Sequence, residues 1–325
     1  MRWKIPTSYV VISGLAGSIG VGYLVKDYMG GPRYKGTETL ADKIVIVTGA
    51  NTGIGKQIAF DLARRKARVV LACRDMQKCE QARRHIVLDT KNKYVYCREC
   101  DLASQESIRK FVEQFKNESS KLHILINNAG VMRCPKSYTK EGIEMQLGVN
   151  HMGHFLLTNL LLDVLKASAP ARIVNLTSTA HRRGQINMKD LNLDEDYDPG
   201  RAYAQSKLAN LLFTRELANR LKGTDVTVNA VHPGVVSTEI TRHMYVYKNW
   251  FTLPLLKMFS WPFIKSPGQG AQTVLYVAID PSLANTSGYY FDNCETKDVS
   301  DNAKNDDMAK WLWKVSEKWT KLNVN

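Results

Sequence analysis

From Leu40 onward the chain alternates between two hydrophobic rhythms. Short, almost unbroken apolar runs rich in β-branched residues occur at Ile44–Thr48, Arg68–Cys73, Tyr94–Glu99, Leu122–Asn127, Arg172–Leu176 and Val226–Val231. Between them lie longer segments in which apolar residues return with helical period, among them Lys56–Arg65, Gln105–Glu118, Glu144–Leu165 and Ala202–Arg220. Strands that are apolar on both faces must be covered on both faces. Strand–helix alternation supplies that cover, so residues 42–325 are predicted to form one α/β domain, a doubly wound parallel sheet with helices on both faces.

The two ends follow different rules. From Thr7 to Val25 the chain carries no charge, Arg2 and Lys4 precede the stretch, and Lys26 and Asp27 close it. That length just suffices for a spanning helix of about 20 residues. Ser and Gly dilute its hydrophobicity, while Tyr9 and Tyr23 stand near its ends as interfacial aromatics do. A cleaved signal peptide is the competing reading, and an uncleaved membrane anchor over residues 1–29 is preferred. Residues 30–41 read as a linker. Residues 242–267 are dense in aromatic residues, including Tyr245, Trp250, Phe259 and Phe263. They are expected to form a lid over an apolar substrate. Residues 303–325, with Trp311, Trp313 and Trp319, are expected to form an amphipathic helix packed on the domain.

The formal charge of +14 is spread along the chain without a long basic block, which argues against nucleic acid and leaves an anionic cofactor or an acidic membrane surface. Six cysteines offer no second pair to match Cys97-x-x-Cys100, so isolated reduced thiols in a reducing compartment are expected. The seven histidines show no ligand spacing, and no metal is expected.

The first strand runs into Gly49-Ala-Asn51-Thr52-Gly53-Ile54-Gly55 and then a helix. Glycines there let a pyrophosphate approach the backbone, and the helix presents its positive end to it. The second strand ends Cys73-Arg74-Asp75. A carboxylate at its end would hold the ribose 2′-hydroxyl of NAD, but Cys73 holds nothing, and the Arg74 guanidinium suits the 2′-phosphate of NADP(H).

Tyr203 and Lys207 stand four apart on one helix face, where an ammonium would pull the phenol pKa toward the working range. Ser178 lies just past the strand Arg172–Leu176, at the edge where ligands bind in such sheets, and can polarise a substrate oxygen. Taken in order, Gly49-x-x-x-Gly53-x-Gly55, Asn127-Asn128-Ala129-Gly130, Asn150, Ser178, Tyr203-x-x-x-Lys207 and Pro233-Gly234 resemble the motifs of the classical short-chain dehydrogenase/reductase family from Asp42 to about Phe291. Ala72-Cys73-Arg74-Asp75, Asn150-His-Met-Gly-His-Phe155 and Ser206-Lys-Leu-Ala-Asn210 resemble its retinol dehydrogenase subgroup.

The resemblance implies a Rossmann-type fold and a role for each position. Tyr203 would be the proton donor or acceptor, with Lys207 tuning it and holding the nicotinamide ribose. Ser178 would orient the substrate, and Asn150 would hold a water that relays protons. Asp101 and Leu102 would flank the adenine, and Asn128, Ala129 and Gly130 the ribose side. Val235 and Thr238, after Pro233 and Gly234, would meet the nicotinamide. Relatives usually carry two serines where this chain has Thr177-Ser178, and the distance along the chain to Tyr203 selects Ser178. Members with such an anchor sit in the endoplasmic reticulum or at the inner mitochondrial membrane. The expected activity is NADP(H)-linked interconversion of a lipophilic alcohol and its carbonyl, all-trans-retinol and all-trans-retinal first, with reduction favoured. Steroids or lipid-derived aldehydes are the alternative substrates, and a non-catalytic cofactor-binding scaffold on the membrane is the alternative of another kind. Assembly is left open between monomer and homodimer.

Overall fold

The computed structural model describes residues 20–240 and 260–322. Strands β1 (Ile44–Thr48), β2 (Arg68–Cys73), β3 (Val95–Glu99), β4 (Ile124–Asn127), β5 (Ala171–Leu176), β6 (Val226–His232), β7 (Tyr290–Asp292) and β8 (Glu295–Thr296) form one sheet. Its order is β3-β2-β1-β4-β5-β6-β7-β8, parallel except for the last pair. Alternation along β1 shows why the strands are apolar throughout. Val45 and Val47 enter a core beneath helices α1 (Gly53–Arg64), α2 (Met76–Thr90) and α6 (Pro267–Ile279), while Ile44 and Ile46 enter the opposite core. That second core lies beneath α3 (Gln105–Glu118), α4 (Gly153–Ala167) and α5 (Pro199–Arg220). Strand order reverses between β1 and β4, and the crevice at their carboxyl ends is where an open α/β sheet takes its ligand.

Three expectations change. The helix expected over Glu144–Leu165 is broken into Met145–Leu147, a π-helical turn Gly148–Met152, and α4. Periodicity does not distinguish a continuous helix from one with a widened turn, because both carry the same apolar stripe. The short strands β7 and β8 were not anticipated, since three and two residues are too few to show a period. The cysteines are not all separate thiols: Cys79 on the inner face of α2 is joined to Cys97 of β3. Packing of α2 against β3 brings together residues 18 apart in sequence, which spacing alone does not reveal.

The carboxyl-terminal helix α7 (Asp306–Trp319) packs on α5, shorter than the 303–325 expected. Trp313 sets its ring edge-on against Phe155 at 4.9 Å and lies 5.8 Å from Phe213. At the other end residues 20–30 are helical. There Tyr23 meets Trp261 edge-on at 5.0 Å, and Lys26 donates to the carbonyls of Trp261 and Ile264. No helix among the described residues is long and apolar enough to cross a membrane. Most of the 7–25 stretch and of the expected lid lies outside the described residues. Of the lid's end, Trp261 and Phe263 are in a tight 3-10 turn and are exposed.

Candidate active site

The crevice holds a cavity of about 510 Å³. At its floor β1 ends in Thr48, and the chain turns through Gly49 at φ 63° and Gly53 at φ 57° into α1. Both values lie in the left-handed region that glycine adopts freely. A Cβ on Gly49 would come within 2.9 Å of Ala129 Cα, and one on Gly55 within 2.4 Å of both Gly49 O and Asn128 Nδ2. This is a cradle that side chains would fill. Thr52, the N-cap of α1, makes no side-chain capping bond, so the first N–H groups of α1 remain free of any side-chain acceptor. Such a cradle fits the pyrophosphate of a dinucleotide.

Gly49, Asn51, Thr52, Gly53, Ile54, Gly55, Arg74, Asp101, Leu102, Asn128, Ala129, Gly130, Ser178, Tyr203, Lys207, Pro233, Gly234, Val235 and Thr238 all line this cavity. Asn150 does not. It lies behind the wall, fully buried in the π-helical turn. Its Oδ1 accepts from Val131 N at 2.8 Å, and its Nδ2 donates to Val131 O and Ser206 Oγ, both at 2.9 Å.

At the adenosine end Cys73 is buried, and burial pushes its thiol up to about 12, so it offers no charge. Arg74 is exposed at the rim and makes no hydrogen bond or ion pair among the described residues. The neighbouring Asp75 accepts from Lys78 N at 3.0 Å as the N-cap of α2 and does not pair with Arg74. Lys78 also lines the cavity, one turn beyond Arg74, and reaches Glu239 on the opposite rim at 3.7 Å. Sequence reasoning missed Lys78, although its helical spacing from Arg74 was there to be read.

At the other end β5 carries Ser178 to the cavity, and α5 carries Tyr203 and Lys207. The α5 N-cap Asp198 accepts from Arg201 N, and Pro199 opens the helix. Thr177 donates its hydroxyl to Lys207 O at 2.8 Å, whereas Ser178 accepts from Ala180 N at 3.2 Å and hydrogen-bonds the Tyr203 phenol, so the backbone does not take its proton. Lys207 Nζ donates to Leu176 O at 3.2 Å and stands 5.7 Å from the centre of the Tyr203 ring.

The electrostatics differ from the simple picture of a cation lowering a phenol. Burial pushes Tyr203 up to about 12, with only a hydrogen bond from Ser178 drawing it back. Burial also brings Lys207 down to about 8. Desolvation penalises the charged form of each group and dominates both shifts. Tyr203 is therefore a neutral phenol, ready to act as an acid. His232, also unanticipated, lines the cavity beside them, and burial lowers it to about 4.

A family model described as short chain dehydrogenase matches residues 43–245. The chain belongs to that family. Among the relatives of this short-chain dehydrogenase, retinol dehydrogenase 13 of Homo sapiens is 50% identical over 314 residues, covering 96% of this chain and 95% of that one. Retinol dehydrogenase 12 of Mus musculus is 56% identical over 274 residues, covering 84% and 85%. The solved RhlG/NADP active-site complex of Pseudomonas aeruginosa superposes with TM-score 0.63 at 27% identity, covering 78% and 95%. This short-chain dehydrogenase is an oxidoreductase acting on CH–OH donors with a nicotinamide cofactor.

Proposed function

We propose that this short-chain dehydrogenase interconverts all-trans-retinol and all-trans-retinal with NADP(H), reduction of retinal being the favoured direction. The observation that carries the cofactor choice is Arg74, a guanidinium on the cavity rim with no hydrogen bond or ion pair among the described residues, beside a buried, uncharged Cys73. A guanidinium fork suits a phosphate monoester, and no carboxylate ends β2 to hold a ribose hydroxyl instead. The retinoid rests on the relatives named retinol dehydrogenase, at half or more identity. Apolar Val131, Met132, Val235 and Ile240 on the cavity wall suit it.

Bound NADPH would supply hydride to the carbonyl carbon. Tyr203, whose phenol burial pushes up to about 12 and so keeps neutral at ordinary pH, gives its proton to the carbonyl oxygen. Ser178, whose proton is not taken by the backbone, donates to the same oxygen and steadies the charge that develops there. Lys207 binds the ribose and, while protonated, favours the phenolate left behind. Asn150 holds the segment around Val131 against the Ser206 turn of α5. Gly49–Gly55, Asp101–Leu102, Asn128–Gly130 and Pro233–Thr238 bind the dinucleotide along its length. Residues 7–25 hold the enzyme to a membrane, mitochondrial or of the endoplasmic reticulum, from which the lipophilic substrate enters beneath the 242–267 lid.

The test is reduction of all-trans-retinal by purified full-length protein with NADPH and with NADH, beside Tyr203→Phe. The reading expects NADPH-linked activity that falls at least about 100-fold in the variant, which keeps the ring but loses the proton. Equal rates with NADH, or an active Tyr203→Phe, would contradict it.

A further inference from the structure

His154 is 2% exposed, does not line the cavity of the crevice, and yet lies where three parts of the site meet. Its Nδ1 is 3.0 Å from Asn150 O, and its Nε2 is 2.9 Å from Thr48 Oγ1. A peptide oxygen only accepts, so Nδ1 carries the proton and Nε2 presents a lone pair. Thr48 must then donate its single proton to Nε2, its other acceptor, Ile126 O, being more distant at 3.4 Å. The two lone pairs of Thr48 Oγ1 receive Asn128 N at 2.9 Å and Ala129 N at 3.0 Å. Every donor and acceptor in this buried chain is used, and in one arrangement only. A protonated His154 would turn an N–H toward an oxygen already saturated. Burial disfavours the charged ring, and the nearby Lys207 adds to that cost, so the ring stays neutral in the folded protein.

The chain of bonds continues at both ends. From Asn150 it passes through Nδ2 to Ser206 Oγ, and from Ser206 to Tyr203 O at 2.8 Å. From Thr48 it passes to the backbone of Asn128 and Ala129, beside Gly130. A Cβ placed on Gly130 would lie 3.2 Å from Asn150 Oδ1 and 3.7 Å from Lys207 Nζ. The π-helical turn is a widened, irregular piece of helix, and a side chain from the next turn fixes it to the end of β1.

We propose that His154 is a positioning residue of the reaction, a strut with two ends that sets the Asn150 turn in register with Thr48 and the Asn128–Gly130 segment. The inference rests on the assignment of Tyr203 and Ser178 above and adds a residue that touches neither substrate nor cofactor.

A strut fails when either end is cut, whereas a residue that only fills space retains part of its effect with each bond kept. His154→Asn places an amide nitrogen where Nδ1 was and keeps the link to Asn150 O. His154→Gln places an amide oxygen near Nε2 and keeps the link to Thr48. Both are expected to lower kcat for retinal reduction by about 10- to 100-fold, the effect of displacing a reacting group by roughly an ångström, with KM changed less than about threefold. Thr48→Val combined with His154→Gln should be no slower than the slower single variant, because both cut one linkage. A kcat per folded molecule within about twofold of wild type in both His154→Asn and His154→Gln, whatever their melting temperatures, would overturn the proposal. Tyr203→Phe in the same assay keeps the two claims apart. Full activity there overturns the assignment of Tyr203, while full activity in the His154 variants overturns only the strut.

Discussion

Lys207 is 4% exposed, and burial takes its ammonium from 10.5 to about 8. A group whose charged form is disfavoured by folding destabilises the protein wherever the unfolded chain would hold the proton. Below about pH 8 both states are charged, and the folded state bears the whole cost. Between about 8 and 10.5 the folded ammonium has released its proton while the unfolded one has not, so the cost shrinks, and above 10.5 it is gone. At about 1.4 kcal/mol per pKa unit the upper limit is roughly 3 kcal/mol. Lys207→Met fills nearly the same volume and removes the charge. It leaves Leu176 O satisfied, because Asn210 Nδ2 also donates to that oxygen, at 3.0 Å. The cofactor-free variant should therefore be more stable than wild type by about 1–3 kcal/mol at pH 7 in urea unfolding, while retinal reduction is lost. The gain should fade as pH rises from 8 and vanish near 10.5. A variant less stable at pH 7, or a gain independent of pH, would refute the claim that desolvation dominates at Lys207.

Three further outcomes follow from the geometry. Arg74→Ala, at an exposed position, should leave folding unchanged and weaken NADPH binding by about 10- to 100-fold, the loss of one charged hydrogen-bonding partner, while NADH shifts by less than about twofold; fluorescence titration of both cofactors measures it. The NADPH loss should shrink as salt is raised. Gly55→Ala would put a methyl group 2.4 Å from Gly49 O, so calorimetry should find dinucleotide binding abolished even where circular dichroism shows a folded chain. Trp313→Ala leaves a void against Phe155 and Phe213 and removes the ring beneath the Arg220 guanidinium, 4.1 Å from its centre, so thermal or urea unfolding should show a loss of about 3–5 kcal/mol.

Much of the molecule was written in its residues one stretch at a time. Six strands of the parallel sheet could be read because a strand covered on both faces must be apolar throughout, as Val45, Ile46 and Val47 are. The cofactor cradle was legible because only glycine tolerates the approach of Ala129 at Gly49 and of Asn128 at Gly55. Tyr203 and Lys207 were legible because helical spacing guarantees one face. What depends on residues far apart in the chain was not. The bond between Cys79 and Cys97 exists because α2 lies on β3. Lys78 meets Glu239 only because opposite rims of one cavity face each other. The protonation of Tyr203 and Lys207 also belongs to the tertiary structure. The sequence places an ammonium beside a phenol and so suggests a lowered phenol pKa. Folding buries both groups, and the cost of removing charge from water reverses the sign. His154 was the same kind of case: helical spacing already sets Asn150 O one turn back from its ring, but only the fold brings Thr48, 106 residues earlier, to the other side.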